Sequence, residues 1–390
     1  MSIEVSLYDV SVDGVEIEAV KQVLQSKWIS MGPVTEKFEQ EFSEKLGMKT
    51  PSVAVNSGTA ALHTALHALG IQKGDEVLVP SITFVATAAS VIMAGAVPVF
   101  VDSKSIDDFS MSPEDMKKKI TSKTKAVIVV HYGGFSADMN NIMEYAKYHK
   151  LKVIEDVAHG PTLFNEEKAL GTIGDAGCFS FLTTKNITSA EGGMVVSQHK
   201  EVLEKAKLFR SHYMNKTAFQ KHESVSAEYD ITNVGYNYRM NDILAAIGLV
   251  QLKKYDEHQE KRKKGAALYR ELFSSSKSNS CVKVPYTNFS VEKSAHHLFP
   301  IILKNDNRSE IMQLLRDQGI QTTVHYPPCH LFTYYQKNFH AKVGDCPVAE
   351  QIGRTELSLP IHPNLTEQQI KTVSEKVIKI AGGYTSAHRV

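Results

Sequence analysis

Apolar residues recur along this chain in two rhythms, and the switch between them predicts where the architecture changes. Near the N-terminus Val15, Ile17, Val20, Val23 and Leu24 follow helical spacing. Asp13 and Glu16 precede and enter that run as a D-x-x-E start signal, in which each side chain satisfies an N–H at the other position. Phe38, Phe42 and Leu46 predict a second amphipathic helix.

Short β-rich runs then alternate with helical stretches. They predict strands near Val53–Asn56, Val77–Pro80, Val97–Asp102, Ala126–Val130, Lys152–Asp156, Gly177–Leu182 and Gly193–Ser197. One intervening helix runs from Thr59 to Gly70, and another opens with Ser112 as cap and Pro113 in its first turn. Strands alternating with helices form mostly parallel sheets covered on both faces. The expectation is an α/β domain of roughly 250 residues.

Past a helix around Asn241–Glu260 the texture changes. SSSKSNS, from Ser274 to Ser280, is polar and loop-like. His297–Leu303 predicts a strand, Ser309–Gln318 a helix and Thr366–Ala381 a last helix, with GGYTSAHRV as a frayed tail. We expect a large domain over 1–255 and a smaller α+β domain over 256–390. The length of 390 residues, too great for one simple core, suits that division.

Composition narrows the function. Hydrophobic residues make up 42% and charged residues 22%, as in ordinary soluble proteins. The balance of 44 basic and 43 acidic residues gives no reason to expect a nucleic-acid or anionic-membrane partner. The basic run from Lys261 to Lys264 reads as a solvated helix face. Cys178, Cys281, Cys329 and Cys346 are scattered with no Cys-x-x-Cys pair, so neither a disulfide framework nor a metal site is indicated. The first residues carry charges where a signal peptide needs an apolar run, and no apolar stretch approaches the roughly 20 residues of a membrane span. A cytoplasmic location is expected.

Three segments bear on chemistry. In NSGTAALHTAL a strand ends at Asn56, and Ser57, Gly58 and Thr59 open a helix whose free N–H groups can cradle a phosphate. In VIEDVAH the carboxylate of Asp156 ends an apolar strand, where open α/β sheets bind ligands, and His159 follows within reach of the same place. A protonated pyridine nitrogen would suit that carboxylate and would make the ring an electron sink. In GDAGCFSFLTTKNITSAEGG a β-run delivers Ser180 and then Lys185, while Gly192 and Gly193 permit an unusual backbone. A lysine enclosed there loses solvation and favours the free amine that forms a Schiff base. Taken singly, each segment also has a structural reading: a capped turn, a helix-capping aspartate, one of many solvated lysines. No G-x-G-x-x-G follows an early strand, which argues against a nicotinamide site.

Together with GDEVLVPSITFVATAASV, PVFVD, GYNYRMNDILAAIGLVQL and LSLPIHPNLT, these segments resemble the DegT/DnrJ/EryC1/StrS family of sugar aminotransferases, from about Asp13 to Thr372. The resemblance implies a fold-type-I architecture with a seven-stranded sheet and pyridoxal 5′-phosphate as cofactor. It implies Lys185 as the covalent anchor and proton carrier, Asp156 as partner of the pyridine nitrogen and Phe84 stacked on the ring. Gly58, Thr59 and Ser180 would bind the phosphate, and Asn237 would reach the phosphate in the neighbouring subunit of a homodimer. His159 would contact the cofactor or substrate, and His325 and Arg239 would line the substrate mouth. Some members are dehydratases with histidine in place of the lysine, which Lys185 contradicts.

The implied reaction moves an amino group from L-glutamate to a nucleotide-linked keto-sugar, in glycan or antibiotic sugar synthesis. KNITSAEGG resembles the branch that aminates 4-keto-6-deoxysugars. A 3-keto sugar, a cyclitol, another ketose or a regulator without turnover are the alternatives. HGPTLF after Asp156 and Cys329 in HYPPCH depart from the family pattern at the cofactor's flank and the substrate pocket.

Overall fold

A computed structural model describes residues 3–165, 168–214, 230–274, 281–304 and 307–387. Its centre is a seven-stranded sheet made of β1 (Val53–Val55), β2 (Glu76–Pro80), β3 (Val97–Val101), β6 (Thr124–Val130), β7 (Lys152–Asp156), β10 (Ala176–Ser180) and β11 (Gly193–Val196). Between these lie two small hairpins, β4 (Ser103–Ser105) with β5 (Asp108–Met111) and β8 (Phe164–Asn165) with β9 (Lys168–Ala169). The sheet order is β1-β11-β10-β7-β6-β2-β3. Only β11 runs against its neighbours; β10, β7, β6, β2 and β3 pair in parallel. All seven predicted strands are present within a residue or two of their expected ends.

The strands are apolar on both sides because both sides are covered. Val77, Val79 and Ile128 turn to one core with the helix Gly58–Ala68, while Leu78, Val127 and Val129 turn to the other with Ile142 and Met116. β7 lies at the middle of the order and ends at Asp156, so its carboxylate emerges where the sheet meets the ligand side.

The start signal of the first helix is a true capping box. Asp13 Oδ1 accepts from the Val15 N–H at 2.9 Å, and Glu16 accepts from the Asp13 N–H at 3.0 Å. Its apolar residues divide, however: Val23 is buried, whereas Val15, Ile17 and Leu24 are exposed. Val10, Val12, Ile17, Val20 and Leu24 instead line an apolar groove with Ile247.

The helix predicted around Asn241–Glu260 runs on as Asp242–Leu272. Ala245, Leu249, Leu252 and Tyr255 pack on one core, and Ala266 and Tyr269 on another. That second core joins the helix to a three-stranded sheet of β12 (Val282–Lys283), β13 (Phe299–Leu303) and β14 (Glu356–Leu359). The last helix also outruns its expected end. It spans Glu367–Ala387, so most of the tail read as frayed is helical. Of the expected loop SSSKSNS, all but Ser274 lies outside the described residues. Among the described residues no helix is long and apolar enough to cross a membrane.

Candidate active site

Eight of the ten residues singled out in the sequence meet at one cavity of about 300 Å³: Gly58, Thr59, Phe84, Asp156, His159, Ser180, Lys185 and His325. Sequence distance among them exceeds two hundred residues, so the fold alone brings them together. Asn237 and Arg239 do not line it. Asn237 is exposed, and its carbonyl accepts from Asn56 Nδ2 at 3.4 Å. Arg239 is half-buried beside Arg210, and its Nη1 is buried without a hydrogen-bond partner among the described residues.

Asp156 is buried, with Oδ2 accepting from Thr87 Oγ1 at 2.9 Å and Oδ1 from the Ala158 N–H at 3.2 Å. Burial outweighs those bonds and the nearby charges of Lys185 and His131, and it raises the carboxyl above its ordinary pKa. A carboxylate in this state gains from a cationic partner. Lys185 sits in the turn between β10 and β11, and loss of solvation draws its amine down to about 8, with Asp156 opposing the shift. About a tenth of the amine is therefore free at pH 7, far more than for an ordinary lysine.

At the other end of the cavity Ser57 caps the helix Gly58–Ala68, its hydroxyl accepting from the Ala60 N–H at 3.1 Å. The helix end presses against Ser180. A Cβ on Gly58 would lie 2.8 Å from the Ser180 Cβ, which is why glycine stands there. Gly193 answers the same need, because a Cβ on it would overlap the Ser57 carbonyl. The expected unusual backbone after Lys185 falls elsewhere: Ala190 carries the positive φ of 67°, and Gly192 and Gly193 serve close approach instead.

Phe84, Tyr326 and three histidines also line the cavity. Phe84 is 55% exposed, its ring 5.9 Å from that of Tyr326. His325 Nδ1 is 2.8 Å from Ser358 Oγ, and the His325 backbone N–H donates to Glu356 Oε2 at 2.9 Å. His159 lies against His297 with ring centroids 4.5 Å apart. Asn186 fixes His297: the Asn186 Nδ2 donates to the Ala295 carbonyl at 2.8 Å, so its Oδ1 is left to accept from His297 Nδ1 at 3.0 Å. Burial first, and then Lys185, lower the pKa of all three histidines, that of His325 to about 3. The wall is polar and uncharged.

Thr87, His297 and Tyr326 are the residues that sequence reading missed. Thr87 lies one helical turn after Phe84 in the quoted TFVAT motif, and Tyr326 follows His325, so both stood inside segments already singled out. For His297 only its fold placement reveals the contact. Cys329, one of the departures noted above, does not line the cavity. It is buried with its sulfur 3.3 Å from the Thr83 carbonyl, and burial raises its thiol to about 12.

Residues 11–378 match the DegT/DnrJ/EryC1/StrS aminotransferase family. The chain belongs to that family. It is 38% identical over 380 residues to the spore coat polysaccharide biosynthesis protein SpsC of Bacillus subtilis, covering 94% of this chain and 95% of the relative. It is 35% identical over 374 residues to the GDP-perosamine synthase of Escherichia coli O157:H7, covering 96% and 97%. Its fold matches Helicobacter pylori PseC, an aminotransferase involved in the biosynthesis of pseudoaminic acid, with a TM-score of 0.90 at 32% identity, covering 97% of this chain and 100% of that one. Solved structures that it resembles include the pyridoxal-phosphate and pyridoxamine-phosphate forms of a sugar aminotransferase. As a DegT/DnrJ/EryC1/StrS aminotransferase, this protein is an enzyme that uses pyridoxal 5′-phosphate, with the fold-type-I sheet that the family motifs implied.

Proposed function

We propose that this enzyme transfers the amino group of L-glutamate to a nucleotide-linked keto-sugar, most directly a 4-keto-6-deoxysugar. The observation that carries the reaction is a half-buried Lys185, its amine drawn down to about 8, in one cavity with the buried Asp156. Pyridoxal phosphate, when bound, supplies an electrophilic aldehyde and an electron-withdrawing ring. The residues fit it: burial raises the Asp156 carboxyl, which a pyridinium nitrogen would stabilise as a carboxylate, and the helix end at Gly58 and Thr59 stands beside Ser180 for a phosphate.

Thr87 and the Ala158 N–H hold Asp156 in place. Lys185 Nζ would take a proton from the donor's α-carbon and deliver it across the shared nitrogen to the cofactor's aldehyde carbon, and would run the reverse transfer for the keto-sugar. The uncharged histidine wall lets that amine stay basic, since no cation there repels its proton. Phe84 stacks on the ring, and His325 borders the sugar.

The KNITSAEGG loop and the similarity to a GDP-perosamine synthase support the 4-keto acceptor. The enzyme acts as a homodimer in the cytoplasm. The apolar groove of Ile17, Val20 and Leu24 supports a partner's packing there, and the exposed Asn237 is free to reach the partner's phosphate site. We place Arg239 near the anionic groups beside Asn237, and the functional boundary at 255/256. The change of core along the long helix between Tyr255 and Ala266 supports that boundary.

An absorbance spectrum with pyridoxal phosphate, before and after L-glutamate, tests the first half. Replacement of the visible band by a near-ultraviolet one is expected. A panel of UDP-, dTDP- and GDP-linked 3- and 4-keto sugars tests the second, and turnover confined to 3-keto acceptors would overturn the 4-keto assignment.

A further inference from the structure

Both ring nitrogens of His159 are engaged by the protein. The Gly133 N–H donates to Nδ1 at 3.3 Å, which leaves that nitrogen without a proton. Burial and the nearby Lys185 keep the ring uncharged, so its single N–H is on Nε2. Nε2 lies 3.0 Å from the Tyr326 hydroxyl. The tautomer is thus set from behind by a backbone amide, and the phenol oxygen must accept.

A phenol that accepts from His159 still has its own hydrogen to give. Burial first, with the Asp156 and Glu356 carboxyls nearby, raises the Tyr326 pKa and keeps that hydrogen in place. The ring is held between Phe84 at 5.9 Å and His159 at 6.0 Å, the latter nearly parallel at 21°. Its neighbours around the cavity include Lys185 and Asp156.

We infer that Tyr326 binds the ligand by giving its phenolic hydrogen to an oxygen held between Lys185 and Asp156, and that His159 is the positioning residue that aims it. This inference rests on the proposed function. The oxygen is an anionic or carbonyl-like acceptor, supplied either by the cofactor ring or by the sugar. A neutral donor suits both, because it stabilises a partial negative charge without competing with Lys185 for protons.

The Tyr326→Phe protein keeps the ring contacts and loses only the O–H. Its apoprotein is titrated with pyridoxal phosphate, the pH midpoint of the visible band is recorded, and KM and kcat are measured for the keto-sugar the wild-type enzyme turns over. A cofactor oxygen predicts about tenfold weaker cofactor binding with a displaced midpoint. A sugar oxygen predicts unchanged cofactor binding and about a tenfold higher KM. Either supports the inference and names the source. All of these quantities within about twofold of wild type would overturn it, while the wild-type titration in the same series separately tests the proposed function. His159→Leu is expected to reproduce the Tyr326→Phe defect, His159→Gln to restore binding through its amide donor, and the Leu/Phe double variant to lose nothing more. Additive losses would remove His159 from the aiming role.

Discussion

Thr87 donates its hydroxyl hydrogen to the Asp156 carboxylate at 2.9 Å, and Thr83 stands 2.7 Å behind it to supply the next hydrogen bond. That line ties the segment carrying Phe84 to the end of the sheet's middle strand. Thr87→Val keeps the shape and removes the bond. Asp156 should then become harder to ionise, and cofactor affinity should fall about tenfold. Fluorescence titration with pyridoxal phosphate checks this, with an unchanged dissociation constant as the contrary result.

The depressed Lys185 pKa sets a pH dependence with a definite sign. Below about 8 the amine is protonated and cannot attack the aldehyde, so the rate of cofactor capture should rise with pH and level off above that value. Asp156 raises this pKa, so Asp156→Asn should move the midpoint to lower pH, while turnover drops by about two to four orders of magnitude. Stopped-flow growth of the visible band across pH reads both effects. Lys185→Ala should show no such band and no complete transamination.

Gly58 has no room for a side chain unless the helix end moves. A Cβ there meets Ser180 at 2.8 Å, and the helix must shift by an amount costing about 1–3 kcal/mol. Gly58→Ala should weaken cofactor binding and lower the unfolding midpoint. Adding Ser180→Gly removes the clash, so the double variant should recover stability but not affinity. Denaturant unfolding beside a binding titration separates the two.

Asp242 belongs to the GYNYRMND motif, yet its work is structural. Its carboxylate accepts from the N–H groups of Gly32, Val34 and Thr35 and from the Thr35 hydroxyl at 2.6 Å, capping the helix Pro33–Lys45 from 207 residues away. Asp242→Ala should cost about 2–4 kcal/mol, because several buried donors lose their acceptor together. Urea denaturation measures it, and the spectrum of bound cofactor should stay that of the wild type.

The proposed reach of Asn237 into a partner's site is tested by mixing two defective proteins. Lys185→Ala and Asn237→Ala proteins should each be impaired. Unfolded together and refolded, they should form mixed dimers in which one site is whole, which restores about a quarter of all sites. No recovery would mean that Asn237 serves its own chain.

The seven strands were legible because each is a short apolar run bounded by turn residues, and a sheet buried on both faces leaves little else for such runs to do. Asp156 and Lys185 were legible as residue types in sequence context. Tyr326 and His297 were not, because their place at the cavity and the direction of their hydrogen bonds follow from tertiary placement. The exposed apolar side of the first helix was invisible for a related reason: periodicity locates an apolar stripe, but not what covers it. The last helix outran its expected end because Gly382 and Gly383 weaken helix without forbidding it.

Two walls of the cavity come from different stretches of chain. Asp156, Ser180 and Lys185 are fixed at the rim of the large sheet, whereas His297, His325 and Tyr326 come from the segments around β13 and β14. Substitutions in those later segments change one wall of the cavity while the residues at the sheet's rim stay as they are. The two walls are written in separate parts of the chain, so each can diverge in descent without rewriting the other.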